Sequence, residues 1–208
     1  KSLEFKLTGA QKRVWQEIRS DLERKQPMSR LLQGDVGSGK TIVAALALLE
    51  TITNGYQGLF MAPTEILAEQ HYLNFKELFA DFDYTIEIIV GSLKASERES
   101  VEKAVANGEI DLIIGTHALF QESINYHKAG LIVIDEQHRF GVEQRHKLKE
   151  KGESPDLLIM TATPIPRSMA MLIYGDLDLS IIDEMPPGRK TIATFWRRKN
   201  RRPKIYSF

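Results

Sequence analysis

Apolar residues recur along this chain in two alternating rhythms. Behind Thr8, residues Val14, Trp15, Ile18 and Leu22 return every three or four positions. That spacing predicts a helix with Thr8 as its N-cap, and Pro27 closes it. An alanine-rich apolar stretch at 42–49 reads as a second helix, 65–79 as a third and 97–107 as an exposed fourth. Between them lie short, nearly unbroken apolar runs at 31–33, 56–62, 85–90, 111–114, 131–134 and 157–160. Such runs belong to strands buried on both faces. At least six of them, alternating with helices, predict an α/β fold with a mostly parallel sheet covered on both sides. No internal repeat or low-complexity stretch interrupts the pattern.

In a sheet of this kind, ligands gather beyond the carboxyl ends of the strands. Small or polar residues follow the predicted strands at 34–41, 63–65, 91–92, 115–117, 135–138 and 161–164. Six strand ends of that composition on one edge predict that the edge is functional.

The first of them is the most specific. Gly34-Asp35-Val36-Gly37-Ser38-Gly39-Lys40-Thr41 fits G-x-x-x-x-G-K-[ST] between an apolar strand and a helix. Gly37 and Gly39 can adopt backbone angles closed to other residues, which turns successive N–H groups inward around a phosphate. The helix that follows adds its positive end. Lys40 can reach the β- and γ-phosphates, and the Thr41 hydroxyl can coordinate Mg²⁺. These residues predict binding of a nucleoside triphosphate.

A second constellation completes the chemistry. The strand at 131–134 delivers Asp135 and Glu136 at its tip. Asp135 is expected to hold Mg²⁺ opposite Thr41, and Glu136 to orient or deprotonate the water that attacks the γ-phosphate. Gln11, early in the first helix, carries an amide that can pair with the Hoogsteen edge of adenine. The expected cofactors are ATP and Mg²⁺.

Composition narrows the setting. The 208 residues carry 28 Lys/Arg against 28 Asp/Glu, but unevenly: 8 against 4 over 1–30, 12 against 24 over 31–188, and 8 against none over 189–208. A basic tail fits either nucleic-acid contact or a solvated linker. Zero cysteines excludes disulfides and thiolate zinc sites and is compatible with a reducing compartment. No apolar run is long enough to span a membrane. The opening Lys1-Ser2-Leu3 is neither an initiator nor a signal sequence, and predicts a piece of a longer protein.

Asp135-Glu136-Gln137-His138, with Ala62-Pro63-Thr64 before it and Thr161-Ala162-Thr163 after it, resembles the second helicase superfamily. Gly115-Thr116-His117-Ala118-Leu119, Thr161-Ala162-Thr163-Pro164-Ile165-Pro166-Arg167, Tyr174-Gly175-Asp176-Leu177-Asp178 and Pro186-Pro187-Gly188-Arg189 bring the chain closer to one branch of it. Together with the phosphate loop they are similar to the RecG family of bacterial duplex-DNA translocases. The transcription-repair coupling factors are the nearest cousins; Gln137 and Pro186-Pro187-Gly188-Arg189 favour the RecG family.

The resemblance implies a single RecA-like ATP-binding domain over 1–208, with a lead-in helix at 1–30 and a basic linker at 186–208. Gln11 would read adenine. Thr64, Glu65, Gly91, Ser92, Thr116 and His117 would face DNA, and His138, Thr161 and Thr163 would couple that edge to the nucleotide. Implied partners are duplex or branched DNA, a second RecA-like domain supplying an arginine finger, and a wedge domain preceding Lys1. The implied setting is a monomer in the bacterial cytoplasm. His71, His127 and His146 are expected to carry no chemistry, and Met160, Met169 and Met171 to be core. Two other readings remain open: a phosphate-loop ATPase with no nucleic-acid role, and, for this stretch alone, a binding module with almost no turnover.

Overall fold

The computed structural model describes residues 6–121, 123–135, 154–163 and 177–187, with isolated positions 196, 199, 202 and 206. Thr8 caps the first helix, α1 (Gly9–Leu22), accepting the Gln11 N–H through its side chain while Gln11 returns a bond to the cap backbone. That capping box satisfies two of the donors a helix start leaves orphaned. The chain continues through β1 (Ser29–Gly34), α2 (Lys40–Thr53), β2 (Gln57–Met61), α3 (Glu65–Leu78), β3 (Ile86–Ile89) and α4 (Ala95–Asn107). Then follow β4 (Leu112–Gly115), a 3-10 turn (His117–Phe120), β5 (Ala129–Ile134), β6 (Asp156–Thr161) and β7 (Asp178–Ile182).

All strand pairs are parallel, in the order β3-β4-β2-β5-β6-β1-β7. This is the α/β, RecA-like sheet expected from the apolar runs. Each strand divides its residues between the faces by parity. Leu32, Phe60, Val133, Leu158 and Met160 pack against α1, α2 and α3. Leu31, Leu59, Ile132, Ile134 and Ile159 meet Val105 of α4 and the turn residues Ala118 and Leu119. Both faces are covered, so the strands carry apolar residues at successive positions.

The strand that the sequence reading missed is β7. It is an edge strand, and its inward residue at the middle is Ser180, not an aliphatic one. Arg30 of β1 donates from Nε and Nη2 to Asp21 Oδ2 at 2.8 and 2.6 Å, and from Nη1 to Ser180 Oγ at 2.8 Å. Ser180 Oγ in turn donates to Glu17. A buried guanidinium thus ties α1, β1 and β7 together, paired on both sides as burial requires.

At the opposite edge from the candidate ligand sites, Asp156 opens β6 and accepts the Met28 N–H. Burial, aided by the nearby Asp21 charge, pushes its carboxyl up to about 6 despite that hydrogen bond. A raised carboxyl pKa opposes folding once pH exceeds the unfolded value, so the cost grows through the interval up to about 6. Asp156→Asn keeps the acceptor without the charge. It is expected to stabilise the protein by about 1 kcal/mol at pH 8, a figure discounted for the partial exposure, and to be neutral near pH 3. Denaturant midpoints at the two pH values check this.

Candidate functional site

The glycine loop supplies its own geometry. Gly37 and Gly39 have φ of 75° and 89°, the left-handed region that favours glycine. Gly39 is the N-cap of α2 and offers no side-chain cap, so no side chain occupies the positive end of this 14-residue helix. A Cβ on Gly34 would lie 2.6 Å from Ser38 Oγ, so the loop folds back over its own first residue only because that residue is glycine. Ser38 Oγ is buried with no hydrogen-bond partner among the described residues. Lys40 arches across the loop and donates from Nζ to the carbonyls of Gly34 (2.7 Å) and Asp35 (3.1 Å). Asp35 accepts the Val36 N–H through Oδ1. An uncapped helix start, an orphaned hydroxyl and a lysine folded over glycines fit a polyphosphate.

Gln11 is drawn into the same loop. It is 3% exposed, accepts the Thr8 N–H at Oε1 (2.9 Å) and donates from Nε2 to Ser38 O (2.8 Å). A Cβ on Gly39 would collide with that Nε2. In this conformation both ends of the amide are committed to fixing α1 against the loop, and the adenine-reading role expected for Gln11 is a separate use of the same group.

Asp135 follows β5 and its N–H is held by Met61 O of β2 at 2.9 Å. The strands that deliver Asp135 and the loop are not neighbours, because β6 lies between β5 and β1. Two strand spacings, about 10 Å, separate them along the same carboxyl edge. Thr161 ends the intervening strand opposite Gln33, and its Oγ1 accepts the Thr163 N–H at 3.1 Å. Thr161 is buried and Thr163 exposed. Among the described residues no group of three or more His, Cys, Asp or Glu could hold a metal ion. A divalent cation here would therefore rest on ligand phosphates, with Asp135 and Thr41 as the chain's contribution, the usual arrangement for Mg²⁺. Glu136 and His138 lie outside the described residues.

The residues expected to face DNA sit on the other half of that edge, after β2, β3 and β4. Thr64 caps α3, its hydroxyl accepting the Leu67 N–H at 3.3 Å. Gly91, Ser92 and His117 are exposed and Glu65 is half-buried. A Cβ on Gly91 would come within 2.9 Å of Glu65 Oε1, so those two strand ends pack against each other. Thr116 departs from expectation. At 3% exposure its hydroxyl is not offered to solvent, because Gly115 lets β4 press against the Ile89 carbonyl and carries Thr116 inward.

His71, expected above to carry no chemistry, is placed against a candidate site residue. Its Nε2 lies 3.0 Å from Asp135 Oδ2, reaching the candidate metal ligand from α3. A signal was available: Ala68, His71 and Phe75 form the buried stripe of that helix, and a lone imidazole on an apolar stripe needs a partner. His127 is exposed and packs over Gly108; Met160 is fully buried, as expected of a core residue. His146, Met169 and Met171 lie outside the described residues.

Comparison with known proteins agrees with this arrangement. The DEAD/DEAH box helicase family model matches residues 8–172. The ATP-dependent DNA helicase RecG of Thermotoga maritima is 54% identical over 208 residues, all of this chain and 27% of that protein. The Bacillus subtilis protein of the same name is 51% identical over 208 residues, 100% of this chain and 30% of that one. This chain thus spans under a third of both relatives. A structure of RecG bound to a three-way DNA junction superposes with a TM-score of 0.88 at 50% identity, covering 99% of this chain and 27% of that one. The helicase MrfA bound to DNA and AMPPNP, at 19% identity and a TM-score of 0.67 over 86% of this chain and 27% of that one, shares the fold.

Removing the Gln11 amide should be costly even with no nucleotide present. Gln11→Ala loses the capping box and the bond to Ser38 O, and is expected to cost about 1–2 kcal/mol of stability. Denaturant unfolding of the nucleotide-free protein measures it; an unchanged midpoint would mean the amide is not bracing the loop.

Proposed function

The chain belongs to the DEAD/DEAH box helicase family, and on that premise we propose that it is the ATP-binding motor domain of a RecG-type DNA helicase. The one observation that carries this reading is the shared edge of the parallel sheet. The phosphate loop and Asp135 stand on the half formed by β1, β6 and β5, and the candidate DNA-facing residues stand on the half formed by β2, β4 and β3. A nucleotide bound on one half can then alter the grip on DNA at the other through the sheet they share.

In the proposed mechanism the loop N–H groups and the start of α2 receive the β- and γ-phosphates. Lys40 exchanges its bonds to the Gly34 and Asp35 carbonyls for phosphate oxygens. Thr41 and Asp135 hold Mg²⁺, which supplies charge neutralisation on the triphosphate. Glu136 positions and deprotonates the attacking water. Gln11, at the seam between α1 and the loop, reads adenine once a base displaces one of its present partners. His138, Thr161 and Thr163 relay the state of the phosphate to the DNA edge; the position of Thr161, at the tip of the strand between the loop and Asp135, supports that role. Thr64, Gly91, Ser92 and His117 contact DNA phosphates without reading bases, Glu65 braces Gly91, and Thr116 contributes through its backbone.

The whole protein, as we read it, brings further parts. A relative caught on a three-way junction supports branched DNA, such as a stalled replication fork, as the substrate. The length of those relatives supports a second RecA-like domain that closes over the nucleotide with an arginine finger, worth about 10³–10⁵ in turnover in related NTPases. It likewise supports a wedge domain ahead of this one. We read residues 186–208 as the basic link to the second motor domain, a monomeric protein, and a place in the bacterial cytoplasm. No helix among the described residues is long and apolar enough to cross a membrane.

ATP turnover by the intact protein, measured with no DNA, with linear duplex and with a model fork, should rise in that order. Lys40→Ala should abolish turnover while leaving the fold intact, and Glu136→Gln should keep ATP binding while losing hydrolysis. Turnover indifferent to every DNA would return the chain to a phosphate-loop ATPase of another kind. A phosphate-contacting edge also predicts that DNA affinity falls steeply with salt and barely varies with base sequence. Filter binding across a salt series checks that slope.

A further inference from the structure

His71 is the polar member of an otherwise apolar stripe. Its ring centroid lies 4.5 Å from that of Phe60 and 6.3 Å from that of Phe75, and its side chain is 11% exposed. Nε2 sits 3.0 Å from Asp135 Oδ2, whereas Nδ1 is buried with no hydrogen-bond partner among the described residues. The two nitrogens are therefore not equivalent. With its hydrogen on Nδ1, the ring would bury an unpaired N–H beside phenylalanines and set the Nε2 lone pair against a carboxylate oxygen. With its hydrogen on Nε2, the ring leaves only a lone pair unmatched and donates to Asp135.

We propose that His71 is a positioning residue for the metal-holding carboxylate: its Nε2–H pins Oδ2 of Asp135 and reserves Oδ1 for the cation. The main chain of Asp135 is already fixed by the 2.9 Å bond from its N–H to Met61 O. The freedom that remains lies in the side-chain torsions, and one charge-assisted bond to Oδ2 removes most of it. The ring is itself held by packing between Phe60 and Phe75, so the donor does not move with solvent. A cation that meets only one or two protein ligands depends heavily on their being aimed in advance, and outer-sphere donors of this kind typically account for 10–100-fold in metal affinity. The proposal rests on the reading of Asp135 as the Mg²⁺ ligand, and its test separates the two.

Three variants of the intact protein decide it: His71→Phe, which keeps the aromatic packing and removes the donor; His71→Gln, which restores an N–H at similar reach; and Asp135→Asn. The measured quantity is the Mg²⁺ concentration that half-saturates binding of a fluorescent ATP analogue, with the melting temperature of the nucleotide-free protein alongside. His71→Phe is expected to raise that concentration about tenfold or more at an unchanged or higher melting temperature, and His71→Gln to return it to within about threefold of the parent. Parental Mg²⁺ dependence in His71→Phe, or equal impairment of the Phe and Gln variants, overturns the proposal. If His71→Phe fails to fold, His71→Asn replaces it, since its shorter amide falls short of Oδ2, and the same two outcomes apply. Asp135→Asn with unchanged Mg²⁺ dependence removes the metal reading itself; a strong effect there with none in the His71 variants removes only the role of His71.

Discussion

Parallel hydrogen bonding of β5, β6 and β1 is the constraint on which the site depends. Register places Ile134, Ile159 and Leu31 in one row across the three strands. Strands that run the same way and start level also end level. Asp135 and the glycine loop are about a hundred positions apart in sequence, yet they emerge on one edge because the crossovers return the chain to the amino-terminal side each time. An antiparallel pairing anywhere in this triplet would send one of the two to the far side of the core. The same constraint fixes the other half, where β2, β4 and β3 end at 61, 115 and 89.

What the sequence made legible follows from how strongly each feature is written. Central strands covered on both faces carry unbroken apolar runs, and those runs located six of the seven strands among the described residues. The phosphate loop was legible because glycine at 34, 37 and 39 answers separate needs, a close approach at the first and positive φ at the other two. At β7 the pattern fades, since an edge strand with Ser180 facing Arg30 and Ile181 turned outward presents no run to detect. Helix α2 starts at Lys40 and not at 42 because a helix N-terminus needs no apolar residue; its first turn faces the ligand site. Thr116 misled for a related reason: a threonine after a strand reads as solvent-facing, and only the close contact of Gly115 with β3 turns it inward.

Gln11 and His71 show a different limit. Each is a polar residue on the inner face of a helix, and composition alone cannot distinguish a brace from a reactive group. Spacing does narrow the choice. Ala10, Gln11, Val14 and Ile18 share the buried side of α1, as Ala68, His71 and Phe75 share that of α3. A polar side chain in such a stripe has to bond something that the tertiary fold brings to it. Its partner lies far along the chain (Ser38 for Gln11, Asp135 for His71), so the stripe announces the need without naming what meets it.

Where buried polar groups are satisfied, and where they are not, separates scaffold from site. Gln57, at the amino end of β2, gives its amide hydrogens to the carbonyls of Val105 and Ile110 and accepts from the Nα–H groups of His127 and Lys128. Arg30 is likewise enclosed by Asp21 and Ser180. These groups lie away from the ligand edge, and nothing is gained by leaving them unpaired. At the ligand edge, Ser38 Oγ and His71 Nδ1 stay without partners among the described residues, and Lys40 spends its ammonium on loop carbonyls. An orphaned polar atom in a core costs about 1–3 kcal/mol. The fold carries that cost beside the phosphate loop and behind Asp135, the two places where charge is expected to arrive; at the opposite end Asp21 Oδ1, which also lacks a hydrogen bond, is met by the Arg24 guanidinium at 2.8 Å. The site is therefore marked by its deficits as well as by its motifs, and those deficits are set by packing that no local stretch of sequence contains.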